Sequence, residues 1–422
     1  MLSIELIRSD PEHVRRALAR RGEDAAAVDQ VAELDSRRRG AIQRGDGLRA
    51  RRNEASRQIG QSRERPPELI EELRRVGEEI RSLEQEAAQL EDEVRGILMG
   101  LPNIPREDVP DGLTEDDNLP VRSWGDLPSF DFDPRPHWDL GPELGIIDFQ
   151  TGVKLAGPRS FVLTGRGARL ERALINWMLD LHTGEHGYLE MHVPAVVKRE
   201  MLEGSGNLPK FADNLYHDEE DDAWLIPTAE VPLTNLHRDE VLAADALPLY
   251  YTAHTPCFRR EKAAAGRDTR GIKRVRQFDK VEMYKFVEPE TSDEELETLL
   301  ADAEEVCRRL GLPYRVLKLC AGEMGFASAK SYDIEVWAPG CREWLEVSSC
   351  SNCTDFQARR AGVRYRGKGG SGARYVHTLN GSGLALPRVV IAVLESFQRA
   401  DGSVLVPEVV RPYTGFDEIP AP

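Results

Sequence analysis

From Leu69 onward the apolar residues Leu69, Leu73, Val76, Ile80, Leu83, Ala87, Leu90, Val94 and Ile97 recur at alternating spacings of four and three. That period places a continuous apolar stripe along one helix, the a/d seam of a coiled coil. Val31, Leu34, Ala41, Leu48, Ala55 and Ile59 hold a similar register upstream, interrupted by Arg38, Gly45 and Arg52. Pro66-Pro67 cannot continue a helix, so the two halves fold back as an antiparallel hairpin over about 28–98, its tip near Arg63–Glu68. Gly45-Asp46-Gly47 falls mid-helix, where each glycine costs about 1 kcal/mol relative to alanine, and predicts a kink or added mobility. Ahead of the arm, Asp10-Pro11 opens a helix that Gly22 closes.

Past Gly100 the pattern changes. Leu101-Pro102-Asn103-Ile104-Pro105, Asp116-Asp117 and Asp133-Pro134-Arg135-Pro136 give 101–142 the composition of a linker docked on a larger body. Leu170, Ala173, Leu174, Trp177, Met178 and Leu181 then predict an amphipathic helix, and His192–Val197 a strand whose Pro194 favours an edge. Residues 204–211 and 228–234 read as loops between strands. Ser331–Trp337 and Trp344–Ser349 alternate as paired antiparallel strands carrying carboxylates. Two further alternating runs, ending at Glu261 and opening near Phe278, predict a hairpin with a long tip holding Gly266 and Gly271.

A length of 422 residues implies two or three domains, and the net charge of −17 excludes a generally basic nucleic-acid binder. RNA must therefore meet a local basic patch, and DNA binding is not expected. The first arm helix supplies such a patch: Arg37 to Arg65 holds ten arginines against Asp46, Glu54 and Glu64, a net of +7, while Glu68 to Arg95 has a net of −6. Charges on exposed coiled-coil faces also pair with the partner helix, the competing use of these arginines. The N-terminus lacks a secretory apolar core and no run suits a membrane span, so the chain reads as cytoplasmic. Six scattered cysteines form no disulfide framework; Cys350-x-x-Cys353 has no second ligand pair nearby, so no zinc is expected. Gly362–Lys368 imitates a phosphate loop, but Gly369 stands where a hydroxyl should hold magnesium.

The predicted hairpin tip gathers Arg259, Arg260, Arg267, Arg270, Arg274 and Arg276 with Lys262, Lys273 and Lys280. Guanidinium forks match phosphate and carboxylate through two parallel hydrogen bonds. Phe258-Arg259-Arg260-Glu261, Gly266-Arg267-Asp268-Thr269-Arg270-Gly271 and Gln277-Phe278-Asp279-Lys280-Val281-Glu282 resemble the second signature motif of class II aminoacyl-tRNA synthetases in its seryl-tRNA synthetase form. His377-Thr378-Leu379-Asn380-Gly381-Ser382-Gly383-Leu384-Ala385-Leu386-Pro387-Arg388, running into an apolar helix, resembles the third motif, and the helix-strand-proline order near 170–197 the first, whose family role is dimer formation. Arg276 departs from the family, which usually has His there; its charge would sit close to the ATP hairpin.

The resemblance implies an α+β chain: an N-terminal tRNA-binding coiled-coil hairpin over 1–100, the linker over 101–142, and over 143–422 a class II catalytic domain on an antiparallel sheet flanked by helices. It implies ATP as substrate with Mg2+, a homodimer, and a hairpin reaching the long variable arm of tRNA(Ser) through Arg37, Arg38, Arg44, Arg49, Arg52 and Arg57; tRNA(Sec), where present, is implied too. Arg259, Glu346 and Arg388 would carry catalysis. Arg259 would bridge substrate carboxylate and α-phosphate, Glu261 accept from the adenine amino group, and Phe278 and Arg388 sandwich the ring. Glu346 and Ser349 would hold magnesium. Arg260, Val275, Val347 and Ser348 would complete the ATP site, while Thr228, Ala229, Glu230, Glu282 and Ser382 would surround serine. A specialised synthetase paralogue, acting in biosynthesis or antibiotic resistance, and a non-catalytic RNA-binding scaffold are the alternatives. A scaffold predicts damaged motif residues, and Arg259, Glu261, Glu282 and Arg388 are all present.

Overall fold

The computed structural model describes residues 1–61, 67–243, 245–262, 270–367 and 372–422, and the chain divides into two compact units, Leu2–Leu101 and Pro102–Pro422. In the first, the Asp10 carboxylate accepts from the His13 amide at 2.9 Å and starts helix Pro11–Arg20. Helices Ala26–Gln61 and Pro67–Gly100 follow. Cross-helix pairs Arg38–Glu91, Arg44–Glu86 and Arg49–Glu84 run in opposite senses along the two, so the arm is an antiparallel hairpin. Its seam buries Val31 and Ala41 with Ile80, Leu83, Leu90 and Val94. The first helix does not break at Gly45-Asp46-Gly47: Gly45 is buried in the seam, where an added Cβ would lie 4.0 Å from that of Leu83. The expected tip falls largely outside the described residues. A buried polar member of this unit, Asp35, accepts from Arg8 Nε and a second Arg8 nitrogen, both at 2.7 Å, and ties helix Ile4–Ser9 to the first arm helix.

The second unit is built on an eight-stranded sheet. Its spatial order is Leu119–Trp124, Tyr314–Lys318, Lys330–Ala338, Glu343–Asn352, His377–Ala385, Gln277–Val287, Leu249–Phe258 and Leu189–Glu190. Neighbours are antiparallel except the last pair. Strand Gln277–Val287 is buried on both faces. Val281 and Met283 join the core shared with helices Arg166–Gly184, Ser292–Leu310 and Leu386–Ser396, while Tyr284 and Phe286 pack into a second cluster with Tyr251, Leu233 and Ala358. Helix Arg166–Gly184 buries the face expected of it.

Three local expectations change. The stretch read as a linker supplies the sheet's edge strand, Leu119–Trp124; an edge tolerates its Pro120, and that proline hid the strand. The strand expected at 192–197 shrinks to Val196–Lys198, in a separate small sheet with Ala223–Leu225 and His217–Asp218. Gly204 and Ser205 close helix Arg199–Ser205, and Glu230–Thr234 is a short helix rather than a loop. Gly362, in the phosphate-loop imitation, terminates helix Phe356–Ala361 at φ +72°. Among the described residues no helix is long and apolar enough to cross a membrane.

Candidate active site

The central strands open onto a cavity of about 600 Å³. In strand Gln277–Val287, Phe278, Lys280 and Glu282 stand two apart, so one face presents all three; Glu282 lies opposite Ser382 of the next strand. Glu346 and Ser349 are three apart, a spacing that regular alternation would put on opposite faces. A bulge resolves this: Ser348 pairs with Ile334 but Glu346 with Glu335, leaving Val347 as the extra residue, and both oxygen-bearing side chains reach the cavity.

Of the site residues named from the sequence, Thr228, Glu230, Arg259, Glu261, Val275, Phe278, Glu282, Glu346, Val347, Ser349, Ser382 and Arg388 line the cavity. Ala229, Arg260 and Ser348 are not among the lining residues. Arg260 points to the other side from Arg259, donating to the Leu215 carbonyl at 2.6 Å with its guanidinium 4.8 Å from the Tyr216 ring centre. Ser348 is buried and donates to the Ser382 carbonyl at 2.6 Å, supporting that strand from behind; Ala229 is fully buried. The hairpin tip at 263–269, including Gly266 and Arg267, lies outside the described residues.

One end of the cavity is a polar niche. The buried Glu282 carboxylate pairs with Lys280 and accepts from Thr228 Oγ1 at 3.1 Å. Glu230 accepts from Gln357 Nε2 at 2.6 Å and Asn380 Nδ2 at 3.1 Å. Burial first, then repulsion from Glu282, pushes the Glu230 pKa up to about 7, with Lys280 opposing. Two acidic groups beside hydroxyl and amide groups have the chemistry to receive an ammonium and a hydroxyl of a small molecule. Adjacent to it, the Arg259 guanidinium lies 5.0 Å from the Phe278 ring centre. Glu261 holds a left-handed φ of +55°, which non-glycine residues rarely adopt. At the far end Arg388 donates to the Glu346 carbonyl at 2.6 Å and its carboxylate at 3.2 Å. Burial alone would raise the Glu346 carboxyl; Arg388 first, with Arg259 and Arg274, offsets this and holds it below the usual range.

Residues 1–105 match a family model described as seryl-tRNA synthetase N-terminal domain, and 211–397 one described as tRNA synthetase class II core domain (G, H, P, S and T). The serine–tRNA ligase of a Roseiflexus species is 57% identical over 421 residues, covering 99% of each chain. That of Thermomicrobium roseum is 56% identical over 417, covering 98% of this chain and 94% of its own. The chain belongs to the seryl-tRNA synthetase family. The crystal structure of seryl-tRNA synthetase from Pyrococcus horikoshii complexed with ATP superposes with a TM-score of 0.96 at 39% identity, covering both chains fully. Cytoplasmic serine–tRNA ligase from Naegleria fowleri in complex with AMP gives 0.90 at 33%, over 99% of this chain and 98% of that one. The chain is thus a class II aminoacyl-tRNA synthetase, a ligase, with the helical hairpin and antiparallel core of its family.

Within this synthetase, sequence reasoning missed Lys280, Asn380 and Gln357. Lys280 was visible only as one more hairpin cation, although its place two residues before Glu282 carried the signal of a shared face. Arg276 stands on the returning limb of the hairpin, as its place in the sequence requires; its side chain lies by Gly157, an added Cβ there falling 3.9 Å from one guanidinium nitrogen, and it is not among the residues lining the cavity. On the arm, Arg38, Arg44 and Arg49 reach across to acids of the second helix, at 3.4, 3.3 and 2.6 Å, and Arg57 pairs with Glu54 at 3.3 Å. Arg37 and Arg52 make no ion pair among the described residues.

Proposed function

We propose that this synthetase joins L-serine to tRNA(Ser) in two steps. A serine carboxylate oxygen attacks the α-phosphorus of ATP and pyrophosphate leaves, giving seryl-adenylate; a terminal ribose hydroxyl of the tRNA then attacks the acyl carbon and AMP leaves. Both steps need positioning and charge neutralisation more than a general base. The observation that carries the reading is the niche of Thr228, Glu230 and Glu282 beside the Arg259–Phe278 pair: it offers carboxylates to the serine ammonium, hydrogen-bonding partners to its hydroxyl, and a cation between its carboxylate and the α-phosphate. Alanine would leave those polar groups unpaired and be rejected. Near-full-length identity to serine–tRNA ligases favours this over a specialised paralogue.

Glu346 and Ser349 give the cavity an oxygen-only donor pair, and the Asp333 Oδ1 behind them is buried without a hydrogen-bond partner among the described residues. That donor set fits magnesium, which would be held by Glu346 and Ser349 and would neutralise phosphate charge. The arginine-rich arm helix, with Arg37 and Arg52 free of ion pairs among the described residues, suits the backbone of the tRNA's long variable arm. Leu155, Leu189 and Val196 of the body are exposed apolar residues open to the homodimer of this reading, which also sets tRNA charging in the cytoplasm. The test is pyrophosphate exchange into ATP with each of the twenty amino acids. L-Serine alone should support strong exchange; equal exchange with alanine or threonine refutes the serine assignment.

A further inference from the structure

His137 stands at the start of helix His137–Glu143, in the segment whose composition reads as linker, yet it is fully buried. Its Nε2 accepts the Ile272 amide at 3.1 Å, so Nδ1 carries the proton and donates to Glu395 at 2.8 Å. The buried Glu395 also accepts from the backbone amides of His137 and Cys341, both at 2.9 Å. Glu395 belongs to helix Leu386–Ser396, whose first turn carries Arg388, and Arg388 Nε donates back to the Lys273 carbonyl at 3.4 Å. One imidazole therefore joins the limb returning from the ATP hairpin to the helix bearing Arg388. Gly271 fits against it closely: at φ +70° it adopts a conformation that favours glycine, and an added Cβ would come 1.9 Å from His137 Nε2.

We propose that His137 is a positioning residue for ATP: it hooks residues 271–273 to Glu395, setting the limb that carries Lys273 and Val275 and, through the Lys273 carbonyl, the direction of Arg388. The inference rests on the proposed function for the identity of the nucleotide site. Lys273 and Val275 both line the cavity, whereas His137 does not touch it. His137, Cys341 and Glu395 also lie close enough together to hold a metal ion. Their polar atoms are instead satisfied by one another and by three backbone amides, the arrangement of a hydrogen-bonded hook.

The test is ATP affinity, measured calorimetrically with magnesium on the full chain. His137→Asn keeps a donor at the Nδ1 position and loses the acceptor for Ile272; His137→Gln offers an acceptor at the Nε2 position. His137→Asn should weaken ATP binding about five- to tenfold, the worth of one buried hydrogen bond, with Gln recovering most of it. Serine affinity without ATP should stay near the parent's. Unchanged ATP affinity in His137→Asn, equal loss of ATP and serine affinity in both variants, or stoichiometric zinc in the purified parent would overturn the inference. A parent that binds ATP and shows the Asn/Gln pattern, yet activates no serine, would uphold the hook and refute the proposed function.

Discussion

The proposed role of Glu230 in serine recognition predicts a pH signature. Burial and the neighbouring Glu282 carry its pKa to about 7, above the ordinary glutamate range, so it is largely protonated in the free enzyme on the acid side of neutrality. An ammonium is attracted by the ionised form. If that form alone binds serine, the apparent dissociation constant scales inversely with the ionised fraction, about one-tenth at pH 6 and about nine-tenths at pH 8. The KM for serine in pyrophosphate exchange, at saturating ATP, should therefore fall about tenfold as pH rises across that window, most steeply below neutrality. Glu230→Gln should flatten the profile and raise the alkaline KM about 10- to 100-fold, since a hydrogen bond to a charged group contributes about 1.5–3 kcal/mol. A flat parental profile, or the same slope in Glu230→Gln, would refute this assignment.

Arg388→Lys cannot reproduce a guanidinium that donates to two backbone carbonyls, and should raise the KM for ATP about tenfold or more with the serine KM nearly unchanged, read in the same exchange assay. The double change Arg37→Ala and Arg52→Ala should weaken tRNA in aminoacylation and make that step less salt-sensitive, with pyrophosphate exchange at parental rate. Leu90→Ala in the arm seam should cost about 2–5 kcal/mol and move an early urea transition of the full chain to lower denaturant, again sparing exchange.

The arm was legible because a seven-residue apolar period has one structural meaning, and Leu83, Leu90 and Val94 are buried where it put them. Gly45 read as a breaker because propensity counts the missing Cβ and not the partner; in the seam it faces Leu83. The central strands were legible as alternation, and most of the cavity lining followed from motifs that place charged side chains on one face. What stayed hidden depended on pairing between distant segments. The bulge at Val347, which brings Glu346 and Ser349 to one side, is a property of the register with Lys330–Ala338. The edge strand Leu119–Trp124 was masked by its proline, and buried His137 by its proline-rich surroundings. Arg260 shared a motif with Arg259, yet the backbone turns the two to opposite sides.

The most direct measurement is charging of unfractionated tRNA with radiolabelled amino acids, using the full chain, ATP and magnesium. Serine should appear on tRNA in an alkali-labile ester, and alanine and threonine should not. Charging of another amino acid in its place, or strong serine-dependent pyrophosphate exchange with no serine reaching tRNA, would contradict a serine–tRNA ligase.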